Sequence, residues 1–371
     1  METKVIMLDA GSAFGRRLAP AARALRAGRL VALPTETVYG VSALAKDAAA
    51  MERLGQLKDR PGGAFTVHLA SPDDAGRYVK NPPLRARTLM RKAWPGPVTV
   101  LLATGGRLAH ASLRGKGLYD RLCTEDVVGL RCPDHAVAQT LLERAGGPVV
   151  ATSANLSGGP PATDGPDVLD AVGGRIDVLV DAGPCRYARA STIVAFDGQA
   201  LRIVREGVLD AAAIDRLSRR TIVFVCTGNT CRSPMAEALA KRLLAEQIGC
   251  RVGQLPACGL EILSAGTSAA GGGPAARNAV EAARRLGGQI EKHRAKNLTR
   301  ALINAADLIF CMARHHVAEV VARSPGAAGK VLLLDGSGDI ADPIGGDLET
   351  YVRVARRIAA GLRKRIKENL L

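Results

Sequence analysis

One string near the middle of the 371-residue chain constrains its fold more than any other. The apolar run Thr-Ile-Val-Phe-Val-Cys (221–226) passes directly into Thr-Gly-Asn-Thr-Cys-Arg-Ser-Pro (227–234). A short apolar run of this kind reads as a strand buried on both faces, the inner strand of a parallel sheet. Pro234 suits the first turn of a helix. Strand, tight loop and helix in that order open a doubly wound α/β domain. Cys226 and Arg232 bracket the loop, with five residues between them. The N–H groups of such a loop converge on one point and suit a phosphate dianion. The helix N-terminus adds partial positive charge, and Arg232 can grip two phosphate oxygens at once. The same field favours a thiolate nucleophile at Cys226. Gly228 permits a turn that a Cβ would hinder. Asn229 and Ser233 are candidates to fix the loop and the sulfur, and Thr227, Thr230 and Cys231 complete it.

The pattern around this string gives the domain organisation. Strands are expected over 221–226, 261–264, 307–311 and 331–334, with helices between them and a loop over 265–276. They form a small doubly wound, four-stranded parallel sheet over 221–371. The polar stretch Asp-Arg-Leu-Ser-Arg-Arg (215–220) precedes it, and a linker is expected over 211–220. Residues 1–210 alternate again: helices over 18–27, 47–58 and 83–92, strands over 30–33, 65–69, 98–102, 148–151 and 191–196. That order predicts a second, twisted α/β sheet domain.

Composition narrows the classes. No run of 18 apolar residues occurs, and the first residues lack the order of a signal peptide, so a cytoplasmic protein without a membrane segment is expected. The eight cysteines form no Cys-x-x-Cys pair and no zinc-type spacing with histidine, which predicts free thiols and no metal site. Lys and Arg exceed Asp and Glu by 51 to 35, a formal charge of +16. Such a field attracts nucleotides, phosphorylated groups or RNA, and an Arg-rich solvated surface explains it equally well. Ile358, Leu362 and Ile366 have helical spacing, which predicts a terminal helix packing that stripe on a core.

In the first half, polar residues cluster at expected strand and helix ends: Pro-Thr-Glu-Thr-Val-Tyr-Gly (34–40), Lys-Asp-Arg-Pro (58–61) and Thr-Ser-Ala-Asn-Leu-Ser-Gly (152–158). Lys58 and Arg60 near hydroxyl and amide groups suit a triphosphate. Turns and caps are the plainer alternative.

Two resemblances sharpen these readings. Residues 221–371 resemble low-molecular-weight protein-tyrosine phosphatases, through 225–238, Ser-Ala-Gly-Thr (264–267), Ala-Asp-Leu-Ile-Phe-Cys-Met (306–312) and Asp-Pro (342–343). The resemblance implies a cofactor-free reaction. Cys226 attacks phosphorus to give a phosphocysteine, Arg232 stabilises the equatorial oxygens, and Asp342 protonates the leaving group and then activates water. Thr230, where tyrosine-specific members carry an aliphatic residue, resembles the protein-arginine phosphatase branch. So does the lack of an aromatic residue between Pro343 and Tyr351, although Ile344 replaces an expected Phe. Phosphoarginine is thereby favoured over phosphotyrosine in protein substrates. Cys231 resembles the second cysteine that can form a reversible disulfide with the nucleophile, and a small loop filler is the alternative.

Residues 15–210 resemble the YrdC-type threonylcarbamoyl-AMP synthases. Beyond the three clusters, the matches are Val-His-Leu (67–69), Trp-Pro-Gly-Pro-Val-Thr (94–99), Gly-Leu-Arg-Cys-Pro-Asp-His (129–135), Ser-Thr-Ile-Val (191–194) and Ile-Val-Arg-Glu-Gly (203–207). The resemblance implies synthesis of L-threonylcarbamoyl-AMP from ATP, L-threonine and bicarbonate, with Mg²⁺ accompanying ATP. The product serves tRNA N6-threonylcarbamoyladenosine, with tRNA or tRNA-modification proteins as partners. Lys58, Arg60, Ser153, Asn155 and Arg205 would hold ATP. Thr35, His68, Arg131 and Ser191 would surround threonine. The segment after Arg60 is one residue shorter than the family pattern, with Phe65-Thr66 where Pro-Leu is usual. The rival reading is a nucleotide- or RNA-binding module that regulates a phosphatase.

Overall fold

The computed structural model describes residues 2–8, 14–60, 63–113 and 117–368. The chain divides into two compact units, Met1–Ser218 and Arg219–Leu371.

The first unit contains, in order, β1 (Lys4–Met7), α1 (Ala19–Arg26), β2 (Val31–Leu33), β3 (Gly40–Leu44), α2 (Ala48–Leu57), β4 (Thr66–His68), α3 (Leu84–Ala93), β5 (Val98–Ala103) and α4 (Leu118–Leu122). It continues with β6 (Cys123–Thr124), β7 (Val127–Arg131), α5 (Ala136–Arg144), β8 (Val149–Ser153), α6 (Gly165–Val172), β9 (Val178–Asp181), β10 (Thr192–Asp197), β11 (Ala200–Arg205) and α7 (Ala211–Ser218). The strands form one mixed sheet in the order β1-β9-β2-β3-β8-β4-β7-β5-β10-β11, with β6 pairing β7 off this path.

Period-two alternation gives the sheet two apolar faces. Val31, Leu33, Val178 and Val180 pack with Leu25 of α1 and Leu141 of α5. Their sequence neighbours Ala32 and Leu179 pack on the other side with Leu54 of α2, Leu89 of α3 and Val168 of α6. Helix α2 starts where the Asp47 carboxylate accepts from the Ala50 N–H at 2.9 Å, a cap worth about 1 kcal/mol. Residues 211–218, expected within a linker, are instead helix α7, with Ile214 buried in the first unit's core. Arg85 of α3 holds it by donating to Ser218 Oγ at 3.0 Å and pairing with Asp215 at 2.5 Å.

The second unit contains β12 (Arg220–Cys226), α8 (Arg232–Ile248), β13 (Leu260–Gly266), α9 (Arg277–Arg285), α10 (Arg300–Ala305), β14 (Leu308–Cys311), α11 (Arg314–Arg323), β15 (Val331–Leu333) and α12 (Leu348–Lys367). Its four strands are all parallel, in the order β13-β12-β14-β15. Val223, Val225, Ile309 and Cys311 pack with Ile303 of α10 and Val320 of α11. On the alternate positions, Phe224 and Phe310 stack with ring centroids 5.9 Å apart. Ile358 and Leu362 of α12 are buried, as their spacing predicts, and Ile366 is half-buried.

Helix α8 begins at Arg232, two residues before Pro234. The first four N–H groups of a helix have no partner within it, so a proline at the third position costs no bond. The chain leaves β12 for β13 on one side and later reaches β14 on the other. The carboxyl end of β12 is therefore the switch point of the sheet, where open α/β folds bind ligands. No helix among the described residues is long and apolar enough to cross a membrane.

Candidate active sites

Cys226 ends β12 at that switch point, and the following loop folds back over it. The Cys226 sulfur lies 2.9 Å from Ser233 Oγ. Asn229 takes a left-handed conformation, φ 53°, which an amide side chain tolerates when it is locally bonded. Its Nδ2 donates to Ser233 Oγ and to Ser264 Oγ, each at 2.9 Å. Its Oδ1 accepts from the Lys296 N–H at 2.9 Å, and its carbonyl oxygen accepts from His293 Nε2 at 2.8 Å. Ser264 donates onward to Glu237 at 2.6 Å. The loop lies so close to β13 that a Cβ on Gly266 would meet the Thr227 oxygen at 2.4 Å and the Asn229 nitrogen at 2.9 Å. A glycine is required there, which accounts for the small residue within Ser-Ala-Gly-Thr.

Arg232 is buried at the start of α8 and donates through Nη1 to the Ile340 carbonyl at 3.0 Å. Its Nη2 pairs with the Asp342 carboxylate. That carboxylate is 39% exposed and also accepts from the Ile344 N–H at 3.3 Å. Ile344, two residues past Asp342, is aliphatic and 73% exposed. The Cys231 sulfur lies 3.4 Å from the Tyr351 hydroxyl and 3.6 Å from Thr230 Oγ1. All eight cysteines are free thiols. Burial pushes the Cys311 thiol up to about 12, as befits a core residue. Thr227 Oγ1 lies 2.9 Å from Nε2 of the buried His316. The structure thus places Cys226, Thr227, Asn229, Thr230, Cys231, Arg232 and Ser233 on one loop, with Cys226 and Asn229 joined through Ser233, and brings Asp342 to Arg232. Sequence reasoning gave no role to Glu237, Ser264, His293, Lys296, His316 or Tyr351. Only Glu237 and Ser264 lay inside the quoted motifs.

The predicted residues of the first unit fall into two groups. The first follows strand register. His68 on β4 stands opposite Arg131 on β7, Arg131 opposite Thr99 on β5, and Thr99 opposite Ile193 on β10, which pairs Arg205 on β11. The Arg131 guanidinium is buried. It donates to Thr37 Oγ1 at 2.6 Å and to Thr35 Oγ1 at 3.3 Å, and pairs with Glu36 at 3.1 Å. Thr35 in turn donates to the Val38 carbonyl at 2.7 Å. Ser191 Oγ lies 3.0 Å from Thr99 Oγ1, and Arg205 donates to the Ser191 carbonyl at 2.8 Å. Burial, then Arg131, pushes the Arg205 pKa below its ordinary value. Burial and Arg131 also push His68 down to about 3, so its ring is neutral.

The second group centres on Lys58, just past α2. Its ammonium donates to the Asn155 carbonyl at 2.7 Å, Asn155 Oδ1 at 3.0 Å and the Ser153 carbonyl at 3.2 Å. Ser153 Oγ donates to Asn155 Oδ1 at 2.6 Å, and Asn155 Nδ2 to the Gly159 carbonyl at 2.6 Å. Burial and nearby Arg60 lower the Lys58 pKa. Arg60 sits over the Phe65 ring at 6.0 Å. Pro61 and Gly62 lie outside the described residues. Arg205, expected beside ATP, joins Arg131 and Ser191 rather than Lys58. A cavity of about 470 Å³ opens beside Asn155, walled by Leu156, Gly159, Pro160 and Ala162 and reaching Asp167. Segment 35–40 connects the groups: Thr35 and Thr37 meet Arg131, and the Tyr39 carbonyl accepts from the Ala154 N–H at 2.8 Å. Glu36, Thr37 and Thr99 are the residues sequence reasoning left without a role. Among the described residues no group of three or more His, Cys, Asp and Glu could hold a metal ion.

Both halves match known families. Residues 23–207 match the Sua5_yciO_yrdC family, described as telomere recombination, and residues 221–370 match the low molecular weight phosphotyrosine protein phosphatases. The chain is 36% identical over 178 residues to the threonylcarbamoyl-AMP synthase of Chromohalobacter salexigens, covering 48% of this chain and 91% of that protein. It is 41% identical over 115 residues to the "Probable low molecular weight protein-tyrosine-phosphatase EpsP" of Ralstonia solanacearum, covering 31% of this chain and 70% of that one. The chain belongs to both families.

The synthase-family unit and the phosphatase-family unit are therefore fused in one polypeptide. The chain spans 61% and 56% of the length of two longer threonylcarbamoyl-AMP synthases that it matches. A crystal structure of P. abyssi Sua5 complexed with L-threonine has a TM-score of 0.51 and 21% identity, over 97% of this chain and 98% of that one. That likeness is one of fold.

Proposed function

We propose that the chain is a bifunctional enzyme, with a threonylcarbamoyl-AMP synthase in 1–210 and a cysteine phosphatase in 221–371. The observation that carries the reading is that each unit holds its own buried arginine on a carboxylate, Arg131 at the end of β7 and Arg232 at the start of α8. Arg131 stands among Thr35, Thr37 and Glu36, and Arg232 is held by the Ile340 carbonyl and Asp342 at the end of the loop that begins at Cys226.

In the phosphatase unit, the substrate dianion replaces Asp342 on Arg232. The Ser233 hydroxyl donates to the Cys226 thiolate, which attacks phosphorus. The freed Asp342 carboxylate takes up a proton from water and passes it to the departing atom as the bond to phosphorus breaks. Asp342 then takes a proton from water, which cleaves the phosphocysteine and releases phosphate. Arg232 and the loop N–H groups hold the equatorial oxygens throughout. Thr230 and the lack of an aromatic residue between Pro343 and Tyr351 favour phosphoarginine over phosphotyrosine.

In the synthase unit, Arg131 pairs with the carboxylate of L-threonine, with Thr35, His68 and Ser191 around it. Neutral His68 adds no charge there. Lys58, Arg60, Ser153 and Asn155 hold ATP from the Lys58 side, and Arg205 reaches it from the Ser191 side. All three Lys58 donors are engaged, so a phosphate oxygen takes the place of one carbonyl. Mg²⁺ enters on the nucleotide as part of the substrate, since the Lys58 cluster offers carbonyl, hydroxyl and amide groups but no carboxylate. ATP, L-threonine and bicarbonate give threonylcarbamoyl-AMP, pyrophosphate and water. The adenylate passes to tRNA modification, in the cytosol. The test is hydrolysis of phosphoarginine against phosphotyrosine, together with pyrophosphate release that depends on threonine and bicarbonate. Release without either substrate would reject the synthase.

A further inference from the structure

His316 is a buried polar group to which the proposed chemistry gives no role. It sits on the first turn of α11, fully buried, while its neighbour His315 is exposed. Its Nε2 reaches Thr227 Oγ1 at 2.9 Å. Its Nδ1 has no hydrogen-bond partner among the described residues. A buried nitrogen left unpaired costs free energy that an apolar side chain in the same space would not. Packing alone therefore does not call for histidine at this position. Thr227 is the opposite case, an exposed residue directly after the nucleophile.

The proton can be placed on the ring. Burial, then His315 and Arg232, pushes His316 down to about 4, so the ring is neutral and carries one N–H. Orphaned buried donors are rarer than orphaned acceptors, which puts the proton on Nε2 and leaves the Nδ1 lone pair unpaired. Nε2 then donates to Thr227, and the Thr227 hydroxyl keeps its own proton to give elsewhere. Other loop side chains have anchors of their own: Asn229 on Ser233 and Ser264, Cys231 on Tyr351, Arg232 on Ile340. Thr227 has His316.

We propose that His316 is a positioning residue of the phosphatase site, which holds the Thr227 side chain so that its hydroxyl donates to an oxygen of the bound phosphate ester. The inference rests on the reading of residues 226–232 as a phosphate-binding loop. Its signature is an opposition between activity and stability, because removing the imidazole removes an unpaired buried nitrogen as well as the anchor.

The experiment uses the full chain and three readouts: kcat and KM for p-nitrophenyl phosphate and for phosphoarginine, and the unfolding midpoint of residues 219–371. His316→Leu should lower kcat/KM about tenfold, the worth of one hydrogen bond to a charged group, with the midpoint unchanged or raised. His316→Gln, which retains a side-chain N–H donor, should recover most of the loss. Thr227→Val should match His316→Leu, and Thr227→Ser, which keeps the hydroxyl, should lose less than Thr227→Val. Adding His316→Leu to Thr227→Val should cost nothing more. The inference is overturned if folded His316→Leu keeps its kcat/KM, if the two losses multiply, or if the midpoint falls in step with activity. A wild-type chain that hydrolyses neither ester overturns the phosphatase reading itself, and this inference with it.

Discussion

On the proposed reading the two sites solve one problem, holding an anion on buried cations, by opposite routes. In the second unit a single stretch, 226–233, carries the proposed nucleophile and the proposed anion-binding arginine, and local backbone geometry sets their spacing, while Asp342 and most of the anchors come from outside it. In the first unit no stretch suffices. Thr35, Lys58, His68, Arg131, Ser153, Ser191 and Arg205 arrive from separate segments, and strand pairing decides which of them meet. Both sites hold their cations on protein acceptors: Arg232 on Asp342, Arg131 on Glu36, and Lys58 on two carbonyls and an amide oxygen. The contiguous site depends on the one neighbouring strand, β13, that supplies Ser264 and Gly266. A register-built site depends on every strand between its members.

The largest expected effect separates the two chemistries. Cys226→Ser should abolish phosphate-ester hydrolysis and leave pyrophosphate release within about twofold of wild type, because a serine hydroxyl lacks the nucleophile's thiolate. Lys58→Ala should reverse the pattern. A drop of about 100-fold in pyrophosphate release is expected for loss of a positioned donor, with hydrolysis unchanged, and parallel loss of both activities in either variant would break the comparison. A smaller effect concerns selectivity. Thr230→Ile should raise the ratio of phosphotyrosine to phosphoarginine hydrolysis several-fold, about the worth of one polar contact, and an unchanged ratio would remove Thr230 from the specificity argument.

The smallest effect is on stability. His68 and His316 are held neutral, at about 3 and about 4 against an ordinary 6.5. Below pH 6.5 the unfolded chain binds protons that the folded units do not. Stability is therefore full above pH 6.5 and falls as the pH drops. The loss from His316 should level off near pH 4, and that from His68 should continue toward pH 3. Trp94, the single tryptophan, lies buried in the first unit, so its fluorescence follows that unit through denaturant titrations. Hydrogen exchange follows the second unit, where His316→Leu should flatten the dependence.

What could be read in the sequence follows from the same contrast. The strand-loop-helix unit, the four parallel strands of the second unit and the residues around Cys226 were legible, because each signal is local. The anchors His293, Lys296 and His316 were not, since each reaches the loop from a distant segment and carries no motif. In the first unit the apolar strands β2, β5 and β10 announced themselves. Strand β11 alternates Leu201, Arg202, Ile203 and Val204 at an exposed edge, and β1 spans only four residues. Neither has a buried run to betray it. Helix α7 joins an alanine run to the polar Asp-Arg-Leu-Ser, and its one fully buried apolar side chain is Ile214. Glu36 escaped notice because its role depends on Arg131, 95 residues away in sequence.

The central claim is that one chain carries two separate active sites. Its most direct test is pyrophosphate release by the full-length Cys226→Ser chain with ATP, L-threonine and bicarbonate, each omitted in turn. Release that requires all three, at the wild-type rate, is the expected result. No release, or release that ignores threonine and bicarbonate, would contradict the account and leave the first unit as a nucleotide-binding module.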